Sequence, residues 1–162
     1  MHQTQQDKPS MQPFHLAFPT ANLEKTSAFM TDVIGASIGR TSERWVDFDF
    51  FGHQITSHLV DDMDEAAKNP VDGQQVPAFH FGIIMQWDDW QALADRVDAK
   101  GVPFEIGPYI RFAGEVGEQG TFFIREPGSN TALEFKTFRN FDQIFATQKR
   151  PAKAGPFGDF VS

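Results

Sequence analysis

Apolar and polar residues alternate along Pro13-Phe14-His15-Leu16-Ala17-Phe18, the period of a half-buried strand. From Leu23 the period lengthens. Leu23, Ser27, Met30 and Ile34 fall on one helical stripe, with Thr20 or Asn22 placed to cap its start and Gly35 to end it. Strand-like runs follow at 36–42, 45–51 and 53–60, the last two joined at Phe51-Gly52. The chain then repeats the order. Pro77-Ala78-Phe79-His80 opens a second alternating run through Met85, and a helix over 88–100 carries Trp90, Leu93, Ala94 and Val97 on one face before Gly101. Strands at 102–106, 121–124 and 131–138 complete the copy, with a turn at Glu126-Pro127-Gly128-Ser129-Asn130. The pattern predicts an α+β fold of two βαβββ modules, about 12–60 and 77–138.

Between the modules, 61–76 reads as an acidic linker with room for one helical turn. A short helix over 140–147 is expected to dock Phe141, Ile144 and Phe145 on the outside of a sheet. Residues 1–11 and 148–162 are polar or rich in Pro and Gly and read as tails around a single domain at 12–147.

Alternation also assigns faces, because successive strand residues point to opposite sides. Phe14, Leu16 and Phe18 take the helix side, which sends His15 to the other. Phe79, Phe81, Ile83 and Met85 do the same for His80 and Gly82, and Leu133 and Phe135 do so for Glu134. In the fourth strand Ile55, Ser57 and Leu59 share one face, and Gln54, Thr56 and His58 the other. Two histidines at equivalent places in a repeat, with a carboxylate of matching parity, supply the nitrogen and oxygen donors that a divalent metal takes. Trp45, Phe123 and Phe138 share parity with polar neighbours, as expected of the lining of an apolar pocket. Asp47 and Asp49, two apart on one strand, read as solvated edge residues.

Composition narrows the chemistry. The chain has five His and no Cys, so any metal must be held by nitrogen and oxygen, and nucleophilic or structural thiols are excluded. A formal charge of −8 disfavours nucleic acid and anionic membranes as partners. With no apolar run near the ~18 residues of a membrane span and no signal-like start, a cytoplasmic location is the expectation. The 18 Phe against one Tyr fit bulky filling between sheets and helices.

Phe14-His15-Leu16-Ala17, Phe50-Phe51-Gly52-His53-Gln54-Ile55, Phe79-His80-Phe81-Gly82-Ile83, Ala99-Lys100-Gly101-Val102 and the run from Glu126 to Phe135 resemble the vicinal oxygen chelate superfamily. That superfamily comprises glyoxalase I, fosfomycin- and bleomycin-resistance proteins and extradiol dioxygenases. The resemblance implies sheets curled around a metal-centred cavity, with His15, His80 and Glu134 as ligands of Fe, Mn, Ni or Zn. A fourth ligand position falls on Thr56 or on His58, depending on how the hairpin is counted. The three-ligand arrangement is favoured, with His58 carrying protons near the substrate. Thr121 to Arg125 contains neither the His nor the Tyr of the extradiol signature, which weighs against catechol cleavage. Tyr109 can donate to a bound oxyanion and Arg111 can hold a carboxylate, with Gln54, Thr56 and Phe123 lining the substrate site. The glycine-rich stretch 111–120 reads as a mobile lid, from which Glu118 or Gln119 could reach in. The resemblance thus implies a metal-dependent lyase, isomerase or dioxygenase acting on a small oxygenated molecule. The alternative is a metal-free binding protein of the bleomycin-resistance type. A homodimer is expected, with the cavity either within one chain or shared between two.

Overall fold

The computed structural model describes residues 11–63 and 68–145. Both modules are present. The first holds β1 (His15–Thr20), α1 (Leu23–Phe29), β2 (Ser37–Thr41), β3 (Trp45–Phe50) and β4 (His53–Leu59). After a hairpin of β5 (Lys68–Val71) and β6 (Gln74–Pro77), the second holds β7 (His80–Met85), α2 (Trp87–Ala99), β8 (Phe104–Arg111), β9 (Gln119–Arg125) and β10 (Ala132–Phe138). Each module forms a mixed four-stranded sheet, in the orders β1-β4-β3-β2 and β7-β10-β9-β8, with parallel β1–β4 and β7–β10 pairs.

Local signals account for the helix ends. The Asn22 side chain accepts from Lys25 N at 2.9 Å, which satisfies a free amide of the first turn. Helix α1 is shorter than its apolar stripe suggests, because Met30–Ile34 continues as a π-helical turn. Gly35 ends that turn at φ 85°, a conformation glycine adopts without strain. Arg96 on α2 reaches across, donating from Nε to Val33 O at 2.8 Å and from Nη2 to Ile34 O at 2.7 Å. A cation on the last carbonyls of a helix is favourable on both hydrogen-bond and dipole grounds. Arg96→Ala is expected to cost about 1–2 kcal/mol, tempered by the solvent exposure of the side chain. An unchanged urea midpoint would remove this contact from the account.

The core joins the two modules through their helix-covered faces. Phe81 lies 5.4 Å from Phe18 and 6.0 Å from Phe50, and Phe50 lies 6.3 Å from Phe135, centroid to centroid. Trp90 pins α2 to its sheet by donating from Nε1 to Phe135 O at 2.9 Å. The polar face of each sheet therefore looks away from this shared core. Among the described residues the two sheets share no cluster of metal-ligating side chains, so the metal-centred cavity that the resemblance implies is not shown within one chain.

Other expectations change in detail. Phe14 and Phe79 have core parity, yet they are 61% and 50% exposed because each precedes the first paired residue of its strand. The linker carries the β5–β6 hairpin, turned at Asp72-Gly73 with φ of 50° and 78°, as a tight two-residue connection requires. The helical turn expected there falls partly on 64–67, outside the described residues. The C-terminal helix is a single 3-10 turn, Phe141–Gln143, capped by Asn140, and Phe145 is 95% exposed instead of docked. Residues 146–147 and both tails, except Met11, lie outside the described residues. Among the described residues no helix is long and apolar enough to cross a membrane.

Candidate functional site

Strand register arranges the polar face of the second sheet in rows. His80, Ala132 and Arg125 form the first row, and Gly82, Glu134, Phe123 and Ile106 the second. Ile84, Lys136, Thr121 and Tyr109 form the third, and Phe138, Gln119 and Arg111 the fourth. A Cβ on Gly82 would run into the backbone of Glu134, so glycine lets β7 lie against β10 at this point.

His80 and Glu134 meet here, with Nε2 3.1 Å from Oε2. His80 Nδ1 donates to Pro77 O at 2.8 Å, and Nε2, the other ring nitrogen, donates to the Glu134 carboxylate, so the ring stands here as an imidazolium held by two acceptors. Thr121 donates its hydroxyl to Glu134 Oε1 at 2.7 Å. The bond to Glu134 raises the His80 pKa against an opposing effect of burial. Burial pushes the Glu134 carboxyl upward, but the bonds from His80 and Thr121 outweigh it and hold the group below its usual range. The edge of the imidazole faces the buried ring of Phe123, 5.1 Å between centroids.

The same register in the first sheet settles which residue matches Glu134. His15 pairs with Gln54 as His80 pairs with Ala132, so Ala17–Thr56 corresponds to Gly82–Glu134 and His58 corresponds to Lys136. Thr56 thus stands in the first sheet where Glu134 stands in the second, and its buried hydroxyl donates to Asp47 Oδ1 at 2.6 Å. Asp47 is not a solvated edge residue. It is 5% exposed on an inner strand, where Arg40 Nε (3.1 Å) and Gln54 Nε2 (3.2 Å) also donate to it. The Thr56 bond leads in lowering the Asp47 pKa, burial opposes it, and Arg40 adds to the lowering. A carboxyl with a depressed folded-state pKa stabilises the fold above its unfolded value and loses that contribution as pH falls through the folded one. Asp47→Asn is thus expected to cost about 1.5–3 kcal/mol at pH 7, with the deficit shrinking below about pH 4. A deficit independent of pH would show that charge is not the cause.

Of the expected site residues, the chain brings together His80, Glu134, Phe123 and, one row on, Tyr109. Burial raises the Tyr109 pKa against the pull of Arg111, so the phenol keeps its proton at neutral pH. Arg111 is engaged with Asp72, Nη2 to Oδ2 2.6 Å. His15, Gln54 and His58 lie exposed on the other sheet. Accordingly, no group of three or more His, Cys, Asp or Glu side chains able to hold a metal occurs among the described residues. His53 is occupied elsewhere, its Nδ1 accepting from Phe14 N at 2.8 Å. Thr121 and Lys136 were not singled out from the sequence, although both share the parity of Glu134.

A pair of βαβββ modules with a histidine and a carboxylate on adjacent strands of one sheet defines a class of paired-module proteins. A profile of the Glyoxalase/Bleomycin resistance protein/Dioxygenase superfamily matches residues 12–135, and the chain belongs to that superfamily. It is similar to the crystal structure of a glyoxalase/bleomycin resistance protein/dioxygenase from Alicyclobacillus acidocaldarius, at 31% identity and TM-score 0.69, covering 82% of this chain and 96% of that one. The fold is shared with the fosfomycin resistance protein FosX from Listeria monocytogenes, at 18% identity and TM-score 0.60 over 82% and 97% of the two chains. It is shared also with lactoylglutathione lyase from Agrobacterium tumefaciens, at 17% identity and TM-score 0.56 over 80% and 96%. No curated protein matches by sequence.

Proposed function

We propose that the protein is a divalent-metal-dependent enzyme of the glyoxalase and dioxygenase type, acting as a homodimer on a small oxygenated molecule. The carrying observation is the His80–Glu134 pair: Pro77 O fixes the proton on Nδ1, so that a metal displacing the Nε2 proton would meet a ring nitrogen and a carboxylate oxygen side by side on the polar face of one sheet. These two donors fit Fe, Mn, Ni or Zn, and His15 would complete the set. Because both polar faces point away from the core of one chain, His15 would come from a second copy, bringing Gln54, Thr56 and His58 with it. A metal so held would supply positive charge to two vicinal oxygens of the substrate.

The chain's own groups then have defined tasks. Tyr109, protonated, donates to an oxygen on which negative charge develops. Phe123 walls the His80 ring from water, and Arg111 holds an acidic end of the substrate. His58, exposed on the face of His15, moves a proton to or from the bound molecule. Sequestration of a ligand without metal, as in bleomycin resistance, is the second reading, favoured by the finding that no group of three metal-ligating side chains comes together among the described residues of one chain.

Subunit mixing tests the shared site. His15→Ala and Glu134→Ala homodimers should each be inactive toward 2-oxoaldehyde hemithioacetals or catechols. Their mixed dimer should recover activity at one of its two sites. Absence of recovery, with dimers verified by sedimentation, would reject a site built from two chains. Full retention of ligand binding in metal-stripped protein, with no turnover when loaded, would favour sequestration.

A further inference from the structure

Beyond Glu134, the third row carries Lys136, a cation that the metal reading leaves without a task, and the fourth carries Arg111. Lys136 stands two residues along β10 from Glu134, about 7 Å along the strand, with Nζ 3.9 Å from Glu134 Oε1 and 5.9 Å from the centre of the Phe138 ring. Arg111 lies one row further, on β8. Between them is a pocket of about 360 Å³, walled by Arg111, Gln119, Lys136, Phe138 and Gln143. Its rim is tied together, because Gly117 N on the 112–118 loop donates to Gln143 Oε1 at 2.8 Å.

Polar capacity on these walls is unspent. Arg111 Nε, a donor, is buried without a hydrogen-bond partner among the described residues; Gln119 Oε1 is unpaired too, but it is an acceptor and suits an anion only when the amide turns its NH₂ inward. Buried polar groups left this way are uncommon and point to an absent partner. Arg111 already shows what it binds: its Nη2 holds the carboxylate of Asp72, which sits half-exposed at the tip of the β5–β6 hairpin. The carboxylates facing the pocket's cations are Asp72 on Arg111 and Glu134 near Lys136. Glu118, close by in sequence, is engaged with Gly114 N and Arg139 Nε.

We propose that this pocket is an oxyanion subsite. It takes the carboxylate or phosphoryl end of a substrate whose other oxygens lie at His80 and Glu134, and Asp72 fills Arg111 until that anion displaces it. The assignment deepens the proposed function and rests on it for the location of the reacting end, but anion binding can be measured apart from metal. A guanidinium fork and an ammonium on one sheet face, at either side of β9, suit a multi-oxygen anion better than a neutral hydroxyl. Engagement of Glu134 by a metal would release Lys136 from its nearest carboxylate and strengthen the subsite.

The test is an NMR titration of the EDTA-treated full-length protein with inorganic phosphate and, separately, with acetate. Saturable shifts of residues 111, 119 and 136 are expected, and the tighter of the two anions identifies the preferred end group. Arg111→Ala and, independently, Lys136→Gln should each weaken binding at least 10-fold while retaining the wild-type melting transition. Asp72→Asn should tighten it several-fold. Absence of saturable binding by either anion, or binding unchanged in both cation variants, would overturn the subsite. Unchanged affinity in Asp72→Asn would overturn the displacement step. Metal uptake without anion binding would sink the subsite and leave the metal reading standing. Anion binding without metal uptake would do the reverse.

Discussion

On the proposed function, His80→Ala protein is expected to fold and dimerise as the unaltered chain does and to bind divalent metal more than ~100-fold more weakly. The scale follows from what is removed. Loss of an outer hydrogen-bonding partner of a metal ligand costs about 10–100-fold, and loss of the ligand itself should exceed that. Thr121→Val removes one such partner, the donor to Glu134 Oε1, and should fall within that smaller range. His53→Ala is the control, since His53 is bound to the backbone ahead of β1 and should leave metal content unaltered. Metal analysis after dialysis separates the cases. If His80→Ala and His53→Ala carry the same metal as the unaltered protein, the pair on β7 and β10 is not a metal site. The His80 ring is half-buried on an edge strand, so its truncation should leave the core intact.

The site was legible where a local rule was enough. Alternation placed His80 and Glu134 on one face, and the register confirms it, because parity is a property of each strand and needs no knowledge of its neighbours. Gly35 and Gly101 stopped their helices as expected, both at positive φ. Parity could not say how the two sheets face each other. That is set by the contacts of Phe81 with Phe18 and Phe50, which put both helix sides in one core and send His15 to a different surface from His80. Nor could it reveal that Asp47 is buried, since its cover is the Arg40 side chain reaching from the neighbouring strand. The period likewise gave Phe14 and Phe79 to the core, because alternation continues past the point where strand pairing begins. The hairpin at Asp72-Gly73 was available in the sequence, as Asp-Gly is a strong two-residue turn signal. The acidic composition around it concealed it, and with it the partner of Arg111.

Glu126→Ala should give the largest loss of stability of any single substitution outside the apolar core. Glu126 is fully buried at the β9–β10 turn. Its Oε1 accepts from Gly128 N at 2.7 Å, and Oε2 accepts from Ser129 N at 2.7 Å, from Thr26 Oγ1 at 3.0 Å and from the Ser129 hydroxyl. Thr26 belongs to α1, so the carboxylate joins the last hairpin of the second module to the helix of the first. Ala21 N adds a backbone bond to Gly128 O at 3.1 Å, and a Cβ on Gly128 would collide with Asn22 and Thr26. After truncation the hydroxyls can turn toward each other, as Thr20 and Thr26 already do at 2.8 Å. The two amides cannot turn, and each unsatisfied buried donor costs about 1–3 kcal/mol. A loss of about 3–5 kcal/mol follows, or roughly 10 °C in melting temperature for a chain of this size. Glu126→Gln keeps an acceptor but turns an NH₂ toward other donors, so its loss should be intermediate. Thr26→Val removes one hydroxyl, with its bonds to Glu126 and Thr20, and should cost about 1–3 kcal/mol, less than Glu126→Ala. A double-mutant cycle between Glu126→Ala and Thr26→Val then isolates the link between modules. Additive losses would mean that the carboxylate organises its own turn only, whereas coupling would make the turn that leads into β10, and so to Glu134, depend on the helix of the other module.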